Sequence, residues 1–194
     1  MYMNILIIGH GRHGKDTVAE FFNSQFGLKF KSSSLACAEI FIYDALRTKY
    51  GYTTFEECYN DRSNRRKEWY DLIVEYNSKD KARLAREILS NGTTCYVGMR
   101  NRDEVLACIK EKLFDLIIWV DASERLPLES SESFNITKDL ADIIIDNNGD
   151  HASLIEKLTN IGNAIFRRLP SFKKLANIPK NAYGRKTAST FSKE

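Results

Sequence analysis

An apolar run followed at once by a glycine-rich loop is the feature that most constrains the fold of this chain. Residues Asn4 to Ile8 are almost wholly apolar and rich in isoleucine, which is typical of a strand buried on both faces of a parallel sheet. Three glycines follow, and from Lys15 apolar residues recur at helical spacing until Gly27, which is placed to end a helix. The order of strand, glycine-rich loop and helix predicts the first unit of an α/β sheet.

The loop has the spacing of a phosphate-binding loop, G-x-x-x-x-G-K. Glycines let the backbone wrap inward with positive φ, so that successive N–H groups converge on an anion, and the helix N-terminus adds partial positive charge. The lysine is then placed to reach the β and γ phosphates of a nucleotide. We therefore predict that a nucleotide binds to Gly9, Gly11, Arg12, His13, Gly14, Lys15, Asp16 and Thr17.

The residues after the lysine depart from the commonest pattern. Asp16 stands where many such loops have a hydroxyl residue that binds Mg²⁺, and Thr17 follows one place later. Both are candidates for contact with Mg²⁺, and the sequence does not decide between them. His10 and His13 also lie in the loop, but phosphoryl transfer needs no imidazole and the sequence shows no nearby third metal ligand. We expect neither histidine to be catalytic or to bind a metal.

Strands alternate with helices along the rest of the chain, which predicts a mostly parallel sheet with right-handed crossovers. Ser34 is placed to cap the second helix, and the long charged third stretch is broken near Asn60 and Ser78. Further strands are predicted over 28–30, 95–98, 114–120 and 142–146, and further helices over 35–49, 53–89, 102–112 and 153–166.

The length of 194 residues suits one substantial core and is too short for two ordinary domains. We predict one domain over 1–166, with a helical insertion over about 34–90 and a short polar lid over about 122–139. Residues 167–194 hold eight Lys or Arg and one Glu. Such a tail suits contact with nucleic acid or an acidic partner, but we favour a solvated, partly disordered terminus.

Composition excludes two classes of protein. No apolar run approaches the roughly 18 residues of a membrane span, and the first residues lack the features of a secretory signal, so we expect a cytoplasmic protein with no membrane partner. The cysteines form no C-x-x-C pair and lie in or beside apolar segments, which indicates buried thiols rather than a zinc site. They are Cys37, Cys58, Cys95 and Cys108.

Several segments together resemble bacteriophage deoxynucleoside monophosphate kinases, within the adenylate kinase-like P-loop kinases. The resemblance runs from Asn4 to about Ile161 and rests first on G-x-x-x-x-G-K-D-T. Weaker matches follow in YVGMRNRDE (96–104), WVD (119–121) and ADIIIDNNG (141–149). The resemblance implies a three-layer fold with a monophosphate-binding insertion. It also implies transfer of the γ-phosphoryl of ATP, with Mg²⁺, to a nucleoside or deoxynucleoside monophosphate, in the host cytoplasm if a phage encodes the chain.

The same resemblance suggests the site residues beyond the loop. Arg100 follows a predicted strand, at the edge where open α/β sheets bind ligands, and would contact the acceptor phosphate. Arg125 would close over the transferring phosphoryl, and Asn148 and Gly149 would hold the adenine. The predicted acceptor residues are Arg62, Arg65, Arg66 and Trp69, with Arg62 and Arg66 on one helical face because they are four residues apart. A solvated charged helix and a core tryptophan are the alternatives.

Two other functions stay open at this point. One is a P-loop kinase for a different small molecule, since the sequence does not identify the acceptor. The other is a regulatory protein that binds a nucleotide without turnover. Arginines on both sides of the γ-phosphate favour transfer over binding alone. The sequence does not decide between a monomer and a homodimer.

Overall fold

A computed structural model of the chain describes residues 3–131 and 133–166. In these residues the strands are β1 (Ile5–Ile8), β2 (Phe30–Ser32), β3 (Cys95–Val97), β4 (Leu116–Asp121) and β5 (Ile143–Asp146). They form one parallel sheet in the order β2-β3-β1-β4-β5. The predicted α/β fold with a parallel central sheet is confirmed.

The helices lie on both faces of this sheet. They are α1 (Lys15–Phe26), α2 (Ser33–Cys37), α3 (Tyr43–Tyr50), α4 (Phe55–Asp61), α5 (Arg66–Tyr76), α6 (Arg83–Ser90), α7 (Arg102–Lys110) and α8 (His151–Phe166). A π-helical turn, Ala38–Ile42, joins α2 to α3, and a 3-10 turn, Lys138–Leu140, precedes β5.

The central strand explains why its sequence is a continuous apolar run. Successive side chains of a strand point to opposite faces, so each face of β1 needs its own apolar residues. Leu6 and Ile8 belong to a core shared with the helices between β2 and β3, whereas Ile5 and Ile7 belong to a core shared with α1 and α8. All four are fully buried. Two cores separated by one sheet make the fold three-layered.

The first helix begins and ends where the sequence predicts. Gly27 adopts φ 66°, and its N–H donates to the carbonyl of Asn23 at 2.8 Å, which ends α1. In the same layer of helices, α8 approaches α1 at Gly162, where a Cβ would lie 2.2 Å from the ring of Phe26. Glycine at position 162 is therefore needed for the close packing of the two helices.

The chain between β2 and β3 is helical, and α4, α5 and α6 are separated near Asn60 and Ser78, where the sequence predicts breaks. Two local predictions were wrong. The second strand is Phe30–Ser32 rather than 28–30, because Leu28 instead follows the end of α1 and packs in the core. The cap of α2 is Ser32 rather than Ser34, since the Ser32 hydroxyl accepts the N–H of Leu35 at 3.3 Å.

Four further sequence predictions concern the cysteines, a membrane span, the polar segment and the basic tail. All four cysteines are buried and free, as expected. In the described part of the chain, no helix is long and apolar enough to cross a membrane. In the polar segment predicted as a lid, over about 122–139, the regular structure among the residues described is the start of the 3-10 turn Lys138–Leu140. The basic tail, residues 167–194, lies outside the described residues.

Candidate active site

The loop between β1 and α1 depends on glycine at its first position. Gly9 adopts φ 141°, a backbone conformation that residues with a side chain rarely take. A Cβ there would also lie 2.5 Å from the carbonyl oxygen of Val120 in β4. The chain can therefore turn out of the sheet at this point only because the side chain is a hydrogen atom.

Gly14 has the same importance at the other end of the loop. It caps α1 with φ 99°, and a Cβ there would lie 2.5 Å from the side-chain nitrogen of Asn147. That nitrogen donates to the carbonyl of His13 at 2.9 Å, and Asn147 is buried. The turn after β5 thus contacts the glycine-rich loop through Asn147, a structural role that the sequence analysis did not predict for this residue.

Lys15 lies at the start of α1 with its ammonium group turned back over the loop. Its Nζ donates to the carbonyl of His10 at 2.6 Å. Burial and the neighbouring Arg100 lower the pKa of Lys15 to about 8. The protein only weakly compensates the positive charge of Lys15, so binding of an anion to this ammonium group is electrostatically favourable.

The two loop histidines act as hydrogen-bond acceptors for the polar segment after β4. His13 Nδ1 accepts the N–H of Ala122, and His10 Nδ1 accepts the N–H of Glu129, both at 3.1 Å. Burial lowers the pKa of both imidazoles, which favours the neutral form that these acceptor roles require. Their role in the structure is to attach the segment 122–129 to the phosphate-binding loop.

Glu129 inserts its carboxylate beside that loop. Its Oε2 accepts the N–H of Gly11 at 2.5 Å, and its Oε1 accepts Nη1 of Arg100 at 2.7 Å and Nη1 of Arg66 at 3.2 Å. Only 11% of the Glu129 side chain is exposed. No pattern in the sequence predicts this contact, because Glu129 lies in a polar segment far along the chain from all three donors.

An open cleft of about 310 Å³ connects the phosphate-binding loop to the helical insertion. It lies at the carboxyl ends of β1, β2 and β3, where open α/β sheets bind ligands. The charged residues that line it are Arg12, Lys15, Asp16, Arg62, Arg66 and Arg100. Ser32, Ser33 and Ser34 add three hydroxyl groups at the end of β2. The cleft therefore combines cations and hydroxyl donors that suit more than one phosphate group.

The predicted acceptor arginines do not all face the cleft. Arg62 and Arg66 line it, but they do not share a helical face, because α4 ends at Asp61 and α5 begins at Arg66. The break is a turn in which the N–H of Asn64 donates to the carbonyl of Asp61 at 2.9 Å. Arg65 instead donates to the Asp61 carboxylate at 3.0 Å, and its guanidinium lies 4.0 Å from the ring centre of Tyr50.

Trp69 was considered both as an acceptor-binding residue and as a core residue, and its position fits both. It lines the cleft, and it is also a core residue with 5% of its surface exposed. Its buried indole N–H has no hydrogen-bond partner among the described residues. Stacking on an acceptor base therefore stays a prediction, whereas packing in the core is observed.

The predicted adenine residues and Arg125 lie together on the other side of the loop, and the cleft lining does not include them. Arg125 Nε donates to the carbonyl of Asn147 at 2.7 Å. Asn148 accepts the N–H of Glu124 at 2.9 Å, and Gly149 follows it in the turn before α8. The structure thus brings Arg125, Asn148 and Gly149 to one place. The roles predicted for them stay predictions.

The predicted Mg²⁺ contacts differ in exposure. Asp16 is exposed and lines the cleft, whereas Thr17 is half-buried in α1. No group of three or more His, Cys, Asp or Glu side chains that could hold a metal occurs among the described residues. The chemistry of the Asp16 carboxylate fits Mg²⁺, which proteins commonly bind through one or two carboxylates together with substrate phosphates.

Comparisons with known proteins give distant structural matches only. No protein family model matches the chain, and neither does any curated protein. A sugar kinase from Janibacter sp. HTCC2649 is 16% identical over 82% of this chain and 94% of its own, with a TM-score of 0.40. A gluconokinase from Sinorhizobium meliloti 1021 is 11% identical over 85% and 94%, also with a TM-score of 0.40.

A third solved structure, shikimate kinase from Aquifex aeolicus, is 14% identical over 84% of this chain and 99% of its own, with a TM-score of 0.40. Similarities of this size establish no functional relationship. The function of this chain therefore has to be inferred from its own residues.

Proposed function

We propose that this protein is an ATP-dependent kinase that transfers the γ-phosphoryl group to a nucleoside or deoxynucleoside monophosphate, giving the diphosphate and ADP. One observation carries the proposal: the phosphate-binding loop and three arginines from the insertion and the β3 end line one cleft. A transfer between two phosphorylated molecules needs cations on both of them. A protein that only bound one nucleotide would not need a second set of cations facing the first.

The loop residues take the donor. The backbone around Gly9, Gly11 and Gly14 would hold the β and γ phosphates, and Lys15 would stabilise the charge that develops during transfer. Mg²⁺, when bound, would neutralise phosphate oxygens, and Asp16 is the residue best placed by exposure to help hold it. Asn148 and Gly149 would contact the adenine.

The residues proposed for the acceptor come from the insertion and from the end of β3. Arg100 and Arg66 would hold the monophosphate, with Arg62 and the serines at the end of β2 as further donors. An acceptor that is already a phosphate oxygen needs no general base, which agrees with two histidines whose ring Nδ1 atoms accept backbone hydrogen bonds. Catalysis would then consist of positioning and charge stabilisation.

The test is a panel of nucleoside and deoxynucleoside monophosphates, assayed for ADP release with ATP and Mg²⁺. Lys15→Ala should lower turnover by roughly 100- to 1,000-fold while leaving the fold intact. Lys29→Ala is the matched control, because Lys29 is exposed and precedes the amino end of β2, away from the cleft. Turnover that is equal in the Lys15 variant and the unmodified protein would exclude the proposal, as would the absence of ADP with every acceptor.

A further inference from the structure

The carboxylate of Glu129 lies where the proposed function puts an anion of the substrates. Its two oxygens accept hydrogen bonds from three donors that come from three parts of the fold: Gly11 in the loop, Arg100 after β3, and Arg66 at the start of α5. Both arginines line the cleft, as does Gly11. These are the groups that the proposed function assigns to phosphate oxygens, and here they bind a carboxylate of the protein itself.

The charge state of Glu129 makes it a real competitor for those groups. Burial by itself would raise the pKa of Glu129, but the hydrogen bond from Arg100, the N–H of Gly11 and the charge of Lys15 together lower it. Glu129 is therefore an anion at neutral pH. Carboxylates and phosphates are both oxyanions that arginine binds through paired N–H groups, so they compete for the same donors.

The space beside Gly11 leads to the same conclusion. A Cβ at Gly11 would lie 3.0 Å from the carboxylate carbon of Glu129 and equally far from its Oε1. The carboxylate thus occupies the gap that the missing side chain leaves next to the loop backbone. A phosphate could not approach this stretch of backbone without meeting a second negative charge at close range, and the two like charges repel each other.

We propose that Glu129 is an internal competitor for substrate phosphate and a positioning residue for Arg100 and Arg66. It occupies part of the anion site in the free protein, and it keeps the two arginines turned toward the loop. When a polyphosphate binds, Glu129 leaves, and both guanidinium groups become available to phosphate oxygens. The inference rests on the proposed function only in taking a phosphate as the competing anion.

Two backbone attachments of the segment 122–129 allow this displacement to involve the Glu129 side chain alone. Glu129 is attached to the loop through its backbone N–H, which His10 Nδ1 accepts, and through its carboxylate. The start of the segment is held separately, where His13 Nδ1 accepts the N–H of Ala122. Turning the Glu129 side chain away would break only the hydrogen bonds of its carboxylate, and the two backbone attachments to His10 and His13 would remain.

Binding of inorganic tripolyphosphate, measured by titration calorimetry on the full chain, tests the proposal without requiring turnover. Glu129→Gln keeps the size of the side chain and removes its charge, so we expect it to bind tripolyphosphate at least about fivefold more tightly than the unmodified protein. Glu124→Gln removes a charge from an exposed residue of the same segment and should leave the affinity within about twofold. Glu129→Ala serves as a second variant and should also bind more tightly.

Equal or weaker binding by both Glu129 variants would overturn the proposal, since a carboxylate with a purely structural role would not oppose the ligand. The same titrations separate this inference from the proposed function. Tighter tripolyphosphate binding without phosphoryl transfer to any monophosphate would support the competitor and refute the kinase. Transfer by the unmodified protein with no gain in affinity in either variant would refute the competitor alone. In an active enzyme, Glu129→Gln should lower KM for ATP more than it changes kcat.

Discussion

At the residue scale, the charges beside the glycine-rich loop come mainly from four side chains, those of Lys15, Arg66, Arg100 and Glu129. Arg100 lowers the pKa of Lys15, and it also donates to Glu129, whose charge partly offsets that effect. Arg66 adds a second cation to the same carboxylate. The free protein therefore holds more cations than anions at the loop, with Asp16 and Glu129 as the acidic residues among them, an arrangement that suits a site for polyphosphates.

The lowered pKa of Lys15 predicts how anion binding depends on pH. Because the pKa is about 8, Lys15 is charged below pH 8 and loses its charge as the pH rises through that value. Affinity for tripolyphosphate should be highest below pH 8 and should fall by about tenfold per pH unit well above it. Calorimetry between pH 7 and pH 9.5 measures this directly.

Lys15→Arg is the control for that titration. The arginine stays charged throughout this range, so the variant should show weaker but nearly constant affinity. A fall of the same steepness in Lys15→Arg would assign the pH dependence to another group.

Arg100 offers a test of where the acceptor binds. Replacement by lysine keeps one charge but loses the planar group that can grip two oxygens, so transfer should suffer more than ATP binding. We expect kcat/KM for the monophosphate to fall by on the order of 10- to 100-fold, with nearly unchanged dissociation constants for ATP.

The matched control for Arg100 is Arg65→Lys, since Arg65 is bound to Asp61 and is not part of the cleft lining. Suppose instead that Arg100→Lys weakens ATP binding and leaves the monophosphate dependence untouched. Arg100 would then belong to the donor site, and our placement of the acceptor would be wrong.

At the scale of elements, a buried polar network joins three helices of the face that carries the insertion. Asn77, at the end of α5, accepts the N–H of Leu84 in α6 at 3.2 Å and donates to Glu104 of α7 at 3.0 Å. Glu104 is 3% exposed, and burial raises its pKa to about 7 although the Asn77 hydrogen bond opposes the rise. The network positions α5, and with it Arg66 and Trp69, relative to the sheet.

Glu104 should make stability depend on pH in a defined direction. From about pH 4.5 to pH 7 the folded state keeps a proton that the unfolded state releases, so the free energy of unfolding falls as the pH rises through this window. Glu104→Gln can still accept the Asn77 hydrogen bond and has no charge to bury. We expect it to exceed the unmodified protein in stability at pH 8, by on the order of 2 kcal/mol, and to match it near pH 4.5.

Urea unfolding at pH 5 and pH 8 measures this difference. Glu75→Gln, at an exposed position of α5, is the control and should show little change at either pH. A difference between Glu104→Gln and the unmodified protein that is the same at both pH values would show that Glu104 does not titrate in this window.

At the scale of the whole molecule, the strand order creates the site. The chain passes from β1 to β2 and β3 on one side, and then crosses over β1 to β4 and β5 on the other. The loops that follow β1 and β3 therefore diverge to opposite faces at the centre of the sheet, and a crevice opens between them. Lys15 and Arg100 meet there because each follows one of these strands.

The positions of the cleft and core residues along the chain predict that the basic tail is dispensable for catalysis. In the described part of the chain, the residues that line the cleft lie between Gly11 and Ser133, and the core residue furthest along the chain is Phe166. Deletion of residues 171–194 should therefore leave kcat/KM close to that of the full chain. Loss of catalysis with an unchanged unfolding midpoint would show instead that the tail contributes to the site.

The sequence by itself determined the features whose cause is local. Gly9 and Gly14 require backbone conformations that glycine adopts readily, and Gly27 ends α1 for the same reason. The continuous apolar run of β1 indicated burial on both faces, since a strand with one exposed face would alternate. These signals lie within a few residues of the structure that they specify, so the conformation of the glycine-rich loop and the fold class were predictable, whereas phosphate binding by the loop stays a prediction.

Only the tertiary structure decided which charged side chains meet. Arg65 and Arg66 are adjacent, yet one contacts Asp61 in the insertion and the other reaches Glu129, 63 residues away in the chain. Arg65 belongs to the turn before α5 and Arg66 is the first residue of the helix, so the turn and the packing of α5 together determine which of them faces the cleft. Glu129 is the strongest case, because its three donors converge only after the sheet and the insertion have formed.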